Sequence, residues 1–220
     1  VRSAGSNPKG FDLCVVAGPP HTHLDQLRLC ATYGIPTMVE KPLCSLGENP
    51  HPLAHYRKVS GAYNYRYHPS IIRLKEADKR GGTSWHFHSV QHRQGLPDWG
   101  IFLAHLPHTI DIALFVTGRL PEFKKATDES RKSYLEVTAK GILAGKPFTL
   151  LDRVSRTPVP KEAYIEAPGL YIEVQPDTGM FDRMWDDFLA ENYTGLDEAI
   201  RVQAALQDAE SCVKGRLVAV

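Results

Sequence analysis

The chain has 220 residues, of which 42% are hydrophobic and 23% are charged, and its formal net charge is +1. This composition is typical of an ordinary soluble globular protein with one sizeable core or two small ones. The near-neutral charge, without a basic block, gives no reason to expect nucleic acid or an anionic membrane as a partner. No apolar stretch reaches the ~20 residues of a transmembrane helix, and residues 1–8 lack the apolar region of a secretory signal. We therefore expect a cytoplasmic protein.

The first part of the chain predicts a strand, a helix and a second strand. An apolar run over residues 13–17 ends at Gly18-Pro19-Pro20 and is typical of a strand buried on both faces. Thr22 is a candidate cap for a helix over residues 23–33, and a second strand follows over residues 35–39. Strand, helix and strand at this spacing predict a right-handed parallel crossover.

The pattern of the predicted helices and strands changes after Pro69. Residues 45–58 predict a weak helix interrupted by proline, and residues 61–65 predict a short strand. Further helices are expected over residues 69–79, 101–116, 179–190 and 196–214. Further strands are expected over residues 84–92, 122–127, 133–142, 147–155, 162–166 and 170–174. A parallel first part and an antiparallel second part predict an α/β fold followed by an α+β region.

Glu40-Lys41-Pro42 places two charged residues directly after an apolar strand. Open α/β sheets bind ligands at the carboxyl ends of their parallel strands, so Lys41 is a candidate for proton transfer at that edge. An ordinary surface ion pair between Glu40 and Lys41, worth ~0–1 kcal/mol, is the alternative.

The histidines and cysteines do not predict a metal site. His105 and His108 lie three residues apart on a predicted helix and could share a face, but no third ligand is evident nearby. His108 is instead a candidate acid or base, since imidazole titrates near neutral pH; a core or helix-surface histidine is the alternative. Three further histidines alternate along one strand, and we expect them on one face as surface or pocket-lining groups: His86, His88 and His92. The four cysteines, at positions 14, 30, 44 and 212, lack the paired spacing of metal ligands and are expected to be reduced.

Four ordered blocks resemble the Gfo/Idh/MocA family, which includes glucose–fructose oxidoreductase and inositol dehydrogenase. They are residues 12–23, residues 34–42 with Glu40-Lys41-Pro42, residues 64–69 (Asn-Tyr-Arg-Tyr-His-Pro) and residues 100–118. The resemblance implies an α/β fold with a partial Rossmann-like parallel sheet, followed by an α+β domain with an open antiparallel sheet. We place the partial nucleotide-binding domain at residues 1–62 and the substrate and oligomerisation domain at residues 63–220, with the last helix able to pack back on the first domain.

The resemblance also implies roles for individual residues. The family's Glu-Lys-Pro lysine and the histidine of its last motif act at the substrate carbinol beside the nicotinamide, and they correspond to Lys41 and His108. The cofactor-side candidates are Gly18, Pro19, Pro20, His23, Glu40 and Lys41. The substrate-side candidates are Arg66, Tyr67 and His105. The implied cofactor is NAD or NADP, the implied partner is a small-molecule carbohydrate, and a homo-oligomer is expected.

The chain departs from the family pattern at three places. No Gly-x-Gly-x-x-Gly turn occurs, and the family's first strand, glycine-rich turn and acidic ribose-binding residue have no counterpart before Asp12. The aspartate of the last motif falls on Ala104 and its later glycine on Leu106. The first glycine of that motif falls on Trp99. We expect a short-form NAD(P)-dependent oxidoreductase for a sugar, polyol or sugar derivative; the alternatives are a non-catalytic carbohydrate-binding relative and an oligomeric scaffold.

Overall fold

The structure is a computed structural model that describes residues 10–77, 83–93, 100, 104–175 and 177–215. Three of the expectations above fall outside these residues. They are residues 78 and 79 of the helix predicted to reach residue 79, Trp99 at the position of the motif's first glycine, and the start of the helix predicted from residue 101.

The first sheet has three parallel strands in the order β1-β2-β3. They are β1 (Cys14–Val16), β2 (Thr37–Val39) and β3 (Val59–Gly61). Helix α1 (Pro20–Tyr33) connects β1 to β2, which confirms the predicted parallel crossover. The expectation that the first strand is buried on both faces is wrong: β1 lies at one edge of this sheet, and Val15 is 49% exposed. The central strand β2 is buried throughout.

The ends of α1 follow from local chemistry. The helix begins at Pro20, whose missing N–H costs nothing in the first turn. Thr22 therefore lies inside the helix, where its hydroxyl donates to the main-chain oxygen of Pro19, and the prediction that it caps the helix is wrong. Gly34 ends the helix in the left-handed conformation, at φ +64°, which glycine adopts without strain.

Two predictions between β2 and the second sheet need correction. The helix expected over residues 45–58 is only a short 3-10 turn at His51–Leu53, because the flanking prolines prevent a longer hydrogen-bonded run. The strand expected over residues 61–65 is β3, which ends at Gly61. Asn64–Tyr67 form a 3-10 helix instead.

The second sheet has six strands in the order β5-β6-β7-β4-β8-β9. They are β4 (Trp85–His92), β5 (Glu122–Asp128), β6 (Tyr134–Leu143), β7 (Lys146–Ser155), β8 (Glu162–Ala167) and β9 (Leu170–Glu173). The helices of this part are α2 (Pro69–Glu76), α3 (Leu106–Thr117), α4 (Gly179–Leu189) and α5 (Asp197–Val213). The sheet is mixed rather than wholly antiparallel. The chain passes through α3, β5 and β6 before β7 returns beside β4, and this crossover makes β4 and β7 parallel.

One hydrophobic core joins the two sheets. It includes Val16 and Leu27 of the first part together with Ile110, Phe148 and Leu206 of the second. Helix α5 packs against α3 and β5. It also reaches the segment after β2, where its glutamines donate to main-chain oxygens: Gln203 to Ser45 at 3.4 Å and Gln207 to Glu48 at 3.2 Å. The boundary at residues 62 and 63 stays a prediction.

Among the helices in the described ranges, none is both long and apolar enough to cross a bilayer.

Candidate functional site

A cleft lies at the carboxyl edge of the three-stranded sheet. Its first wall consists of residues that follow the three parallel strands: Ala17 and Gly18, Glu40 and Lys41, and Ala62. Its second wall comes from the end of β4 and the start of α3: Gln91, Arg93, Ala104, His105 and His108. The cleft has a volume of about 550 Å³ and is also lined by Asn64, Tyr65, Met180 and Phe181. Parallel strands all end at one edge of their sheet, so this is where such a fold places ligands.

Lys41 joins the two walls of the cleft. Its Nζ donates a hydrogen bond to the main-chain oxygen of Ala104, at 2.6 Å. Burial lowers the pKa of Lys41 and the charge of Arg93 lowers it further, although the carboxylate of Glu40 raises it in part. An ammonium group with a lowered pKa gives up its proton more readily than a surface lysine does, which suits acid or base chemistry.

His108 lies across the cleft from the sheet in an environment that keeps it neutral. Burial lowers its pKa well below the ordinary value, and the electrostatic interactions with Lys41, His105 and Arg93 act in the same direction. Its ring meets the ring of Tyr65 edge-on, with centroids 5.0 Å apart. Its buried Nδ1 has no hydrogen-bond partner among the described residues. A neutral imidazole has one unprotonated ring nitrogen, which can accept a hydrogen bond from a ligand hydroxyl.

His105 links the cleft to a buried carboxylate. Its Nδ1 contacts Oδ1 of Asp152, a fully buried residue of β7. Its Nε2 contacts the side-chain amide nitrogen of Gln91. The rings of His105 and His108 lie 5.8 Å apart, so the two histidines form one cluster with Lys41. No group of three or more acidic, histidine or cysteine side chains in the described ranges could hold a metal ion.

Among the predicted cofactor-side residues, Gly18 and Glu40 line the cleft as Lys41 does. Gly18 allows a close approach of the chain: a Cβ at this position would lie 2.9 Å from Oγ1 of Thr22. The loop after β1 is therefore compact and presents backbone rather than side chain to the cleft. Such a surface fits a flat cofactor that must pack closely against the chain.

His23 lies beneath this wall rather than on it. Only 1% of it is exposed. Its Nδ1 lies 2.9 Å from the main-chain oxygen of Pro42, and its Nε2 lies 2.8 Å from that of Gly18. His23 thus connects the loops that follow β1 and β2. Pro19 and Pro20 begin α1 and are not among the residues that line the cleft.

Arg66 and Tyr67, two predicted substrate residues, are not brought to the cleft. Arg66 pairs with the carboxylates of Asp111 and Glu198, and its guanidinium also lies 5.5 Å from the ring centroids of two aromatic residues. Burial disfavours the guanidinium charge, but the two carboxylates outweigh that effect and raise the pKa of Arg66. The hydroxyl of Tyr67 donates to Asp187 of α4 at 2.7 Å. Both side chains are used to hold helices together.

The three alternating histidines of β4 differ in their surroundings. The ring of His88 stacks on Tyr164, with centroids 4.6 Å apart, and lies 3.4 Å from a carboxylate oxygen of Glu162. His86 contacts the hydroxyl of Thr149 on the adjacent strand. His92 is exposed at the strand end. His86 and His92 are surface groups of the sheet, whereas His88 lines a small pocket together with His105 and His108, so each of the two sequence-based interpretations holds for part of this set.

Sequence reasoning missed several residues of the site. Asn64 and Tyr65 belong to the Asn-Tyr-Arg-Tyr-His-Pro block, in which only the two residues that follow them were predicted to be site residues. Gln91 and Arg93 lie at the end of a strand with no motif. Asp152 did carry a signal, since it interrupts the apolar alternation of Phe148, Leu150 and Val154 on the buried face of β7. A carboxylate at such a position needs a polar partner.

Several solved structures of dehydrogenases share this fold. The WlbA (WbpB) dehydrogenase from Thermus thermophilus, solved in complex with NAD and UDP-GlcNAcA, superposes with a TM-score of 0.70 at 21% identity, over 93% of this chain and 73% of that one. The UDP-N-acetylglucosamine 3-dehydrogenase GnnA from Acidithiobacillus ferrooxidans gives 0.72 at 17% identity, over 94% and 80%. A myo-inositol dehydrogenase from Corynebacterium glutamicum gives 0.70 at 18% identity, over 93% and 77%.

No protein-family model matches the chain, and no curated protein matches it either. The structural likeness is therefore a likeness of fold at low sequence identity. The chain has the Rossmann-like α/β fold of these dehydrogenases, which is the fold that its resemblance to the Gfo/Idh/MocA family implies.

Proposed function

We propose that this protein is an NAD(P)-dependent oxidoreductase that transfers a hydride to or from a sugar, a polyol or a sugar derivative. The observation that carries the proposal is the cleft in which Lys41, His105 and His108 face the carboxyl ends of three parallel strands. The fold neighbours support it, because structures of that fold have been solved with NAD bound. A lysine at the edge of a cleft whose pKa is lowered by burial is typical of functional sites, which supports an enzyme over a scaffold.

The two walls of the cleft are proposed to bind different ligands, the cofactor on one side and the carbohydrate on the other. The backbone of Gly18 and the side chain of Glu40 lie on the sheet side, where a nicotinamide and its ribose would be held. Gln91, His105 and His108 lie on the other side, where the hydroxyl groups of a carbohydrate would find hydrogen-bond partners. The buried Oδ1 of Asn64 has no partner among the described residues and is available to a ligand amide or hydroxyl.

The chemistry follows from these positions. A bound nicotinamide would supply the hydride acceptor or donor. The protein then has to move one proton, which leaves the carbinol oxygen as the carbonyl forms. Lys41 and His108 are the proposed proton-transfer residues, because both line the cleft and burial lowers the pKa of Lys41 towards the neutral range.

The cofactor can be tested directly by fluorescence titration of the purified chain with NADH and with NADPH, up to about 1 mM, the upper end of ordinary enzyme affinities. The proposal expects saturable binding of at least one of them. A panel of sugars, polyols, sugar acids and nucleotide sugars should then show oxidation with NAD or NADP at 340 nm. Absence of binding by both reduced cofactors would overturn the proposal and favour the non-catalytic alternative.

We also propose a cytoplasmic homo-oligomer that associates through the open face of the six-stranded sheet. Tyr171, which is 55% exposed on β9, is an example of the apolar surface that such contacts would cover. Sedimentation velocity should show a dimer or larger species. A monomer at about 100 μM, well above the concentrations that separate specific dimers, would contradict it.

A further inference from the structure

Asp152 is an acidic side chain in the interior of the protein. It lies in the middle of β7, and its side chain has no exposed surface. Its neighbours on the adjacent strands are Ser89 of β4 and Val137 of β6, and neither carries a charge. A buried carboxylate is stable only if other groups satisfy its oxygens. Its partners therefore have to come from the helix that covers this face of the sheet.

Two groups near the start of α3 contact Asp152. Oδ2 accepts a hydrogen bond from the hydroxyl of Thr109 at 3.2 Å, whereas Oδ1 lies against Nδ1 of His105 in an ion-pair contact without hydrogen-bond geometry. A carboxylate can only accept, so this contact is favourable only when Nδ1 of His105 carries a proton. The buried acid thus favours the protonation of one particular nitrogen of His105.

The other side of His105 agrees with that assignment. Its Nε2 contacts the side-chain amide of Gln91, which is placed with its nitrogen towards the ring. An amide nitrogen donates, so in this placement Nε2 is the accepting nitrogen of His105. The two contacts are therefore consistent with the tautomer of His105 that carries its hydrogen on Nδ1 and accepts through Nε2.

We propose that Asp152 is a positioning residue that holds a proton on Nδ1 of His105, so that His105 presents Nε2 to the cleft as a second proton acceptor beside His108. This inference rests on the proposed oxidoreductase function and deepens it. His105 lies next to Ala104, whose oxygen receives the Lys41 hydrogen bond, and its ring is 5.8 Å from that of His108. Asp152 then supplies the buried negative charge that the side chain of Ala104 cannot supply.

The charge of Asp152 acts on other groups of the cleft as well. It raises the pKa of Lys41 in part, against the dominant effect of burial. It adds to the effect of burial in raising the pKa of Tyr65, whose ring meets His108 edge-on. Lys41 and Tyr65 are therefore affected by the charge of the same acid that contacts His105.

The test measures the tautomer of His105 by long-range ¹H–¹⁵N NMR on the labelled protein, without cofactor, at about pH 8, above the ordinary imidazole pKa. The resonance is assigned by its loss in His105→Gln. We expect the wild-type protein to show the form protonated on Nδ1. The form protonated on Nε2 would overturn the proposal, and this result needs no variant to fold.

Asp152→Asn sharpens the test because the two side chains have nearly the same shape. The Thr109 hydroxyl would still donate to the amide oxygen of the new residue, which turns its NH₂ group towards His105. Nδ1 then has to accept, and the tautomer should change to the form protonated on Nε2. Thr109→Val keeps the carboxylate and should leave the tautomer unchanged, as should Asp128→Asn at the exposed end of β5. An unchanged tautomer in Asp152→Asn would contradict the proposal.

If the protein oxidises a sugar, Asp152→Asn should lower kcat by about 10²–10⁴-fold, the range for general acid–base catalysis and for loss of a histidine-positioning acid. Cofactor affinity should stay within about twofold, since the side chain of Asp152 contacts His105 and Thr109 and not the residues of the sheet wall. Equal loss of kcat and cofactor affinity would indicate a merely structural role. The tautomer is measured independently of activity, so failure of the oxidoreductase proposal and failure of the Asp152 assignment give different results.

Discussion

Lys41 donates its hydrogen bond to the main-chain oxygen of Ala104, 2.6 Å away and 63 positions further along the chain. The bond connects the end of β2 to the segment before α3, so it bridges the two walls of the cleft. A main-chain acceptor is present whatever the side chain at position 104. The absence of a carboxylate there, which is one of the departures from the family pattern, therefore leaves Lys41 anchored.

Replacement of this lysine should remove turnover without removing the cofactor. Lys41→Met keeps most of the apolar stem but has no proton to transfer, and we expect kcat to fall by about 10²–10⁴-fold. NADH or NADPH titration should give a dissociation constant within about threefold of wild type, or roughly 0.6 kcal/mol. Lys58→Met, at an exposed position before β3, is the matched control. Full turnover in Lys41→Met would exclude Lys41 from the mechanism.

Arg66 is predicted to act on stability rather than on substrate binding. Its guanidinium pairs with Asp111, whose side chain is 1% exposed and whose pKa burial raises to about 6 in spite of Arg66. Arg66→Met would leave that carboxylate buried and unpaired, at a cost of about 3–5 kcal/mol in the free energy of unfolding.

Urea denaturation followed by circular dichroism measures this cost. The control is Arg28→Met, which breaks an ion pair with Asp25 on the exposed face of α1. That pair is about half exposed or more, so its loss should cost no more than about 1 kcal/mol. If Arg66→Met is as stable as Arg28→Met and only raises KM, Arg66 acts on the substrate, as the sequence predicts, and not on stability.

His108 should make stability depend on pH in a defined direction. Its pKa is lowered in the folded protein by burial and by Lys41, His105 and Arg93, so below the ordinary value of about 6.5 the unfolded chain binds the extra proton first. The stability that the neutral ring provides is present above that pH and is lost as the pH falls. His108→Gln cannot titrate, so wild type should lose stability relative to this variant between about pH 7.5 and pH 5.

Denaturation midpoints at several pH values test this expectation. His55→Gln removes an exposed histidine and should follow wild type across the series. A constant difference in free energy between wild type and His108→Gln would mean that His108 titrates equally in both states, contrary to the burial argument.

His23 should contribute to stability through its two main-chain contacts. His23→Ala would leave the oxygens of Gly18 and Pro42 without this partner and would open a cavity beneath the cleft wall. We expect a loss of about 2–4 kcal/mol from the combined effects. His21→Ala, on the exposed face of the same helix, should change stability by less than about 0.5 kcal/mol. A stable His23→Ala protein with weakened cofactor binding would instead make His23 a contact residue.

The sequence by itself determined the local elements and the position of the reacting groups along them. Apolar runs, periodicity and glycine turns are short-range signals, so the β1-α1-β2 crossover and most strands of the second sheet were predictable to within a few residues. The place of Lys41 at the end of a parallel strand follows from the same signals. His108 was found by its order within a motif.

Only the tertiary structure decided which charges meet. Arg66 and Asp111 are 45 positions apart and His105 and Asp152 are 47 apart, and no local pattern says that either pair is in contact. The insertion of β4 between β7 and β8, with one parallel pair, brings Asp152 beneath the start of α3. Buried charges have to find partners wherever the packed chain brings them, so their roles depend on long-range contacts that a sequence pattern does not encode.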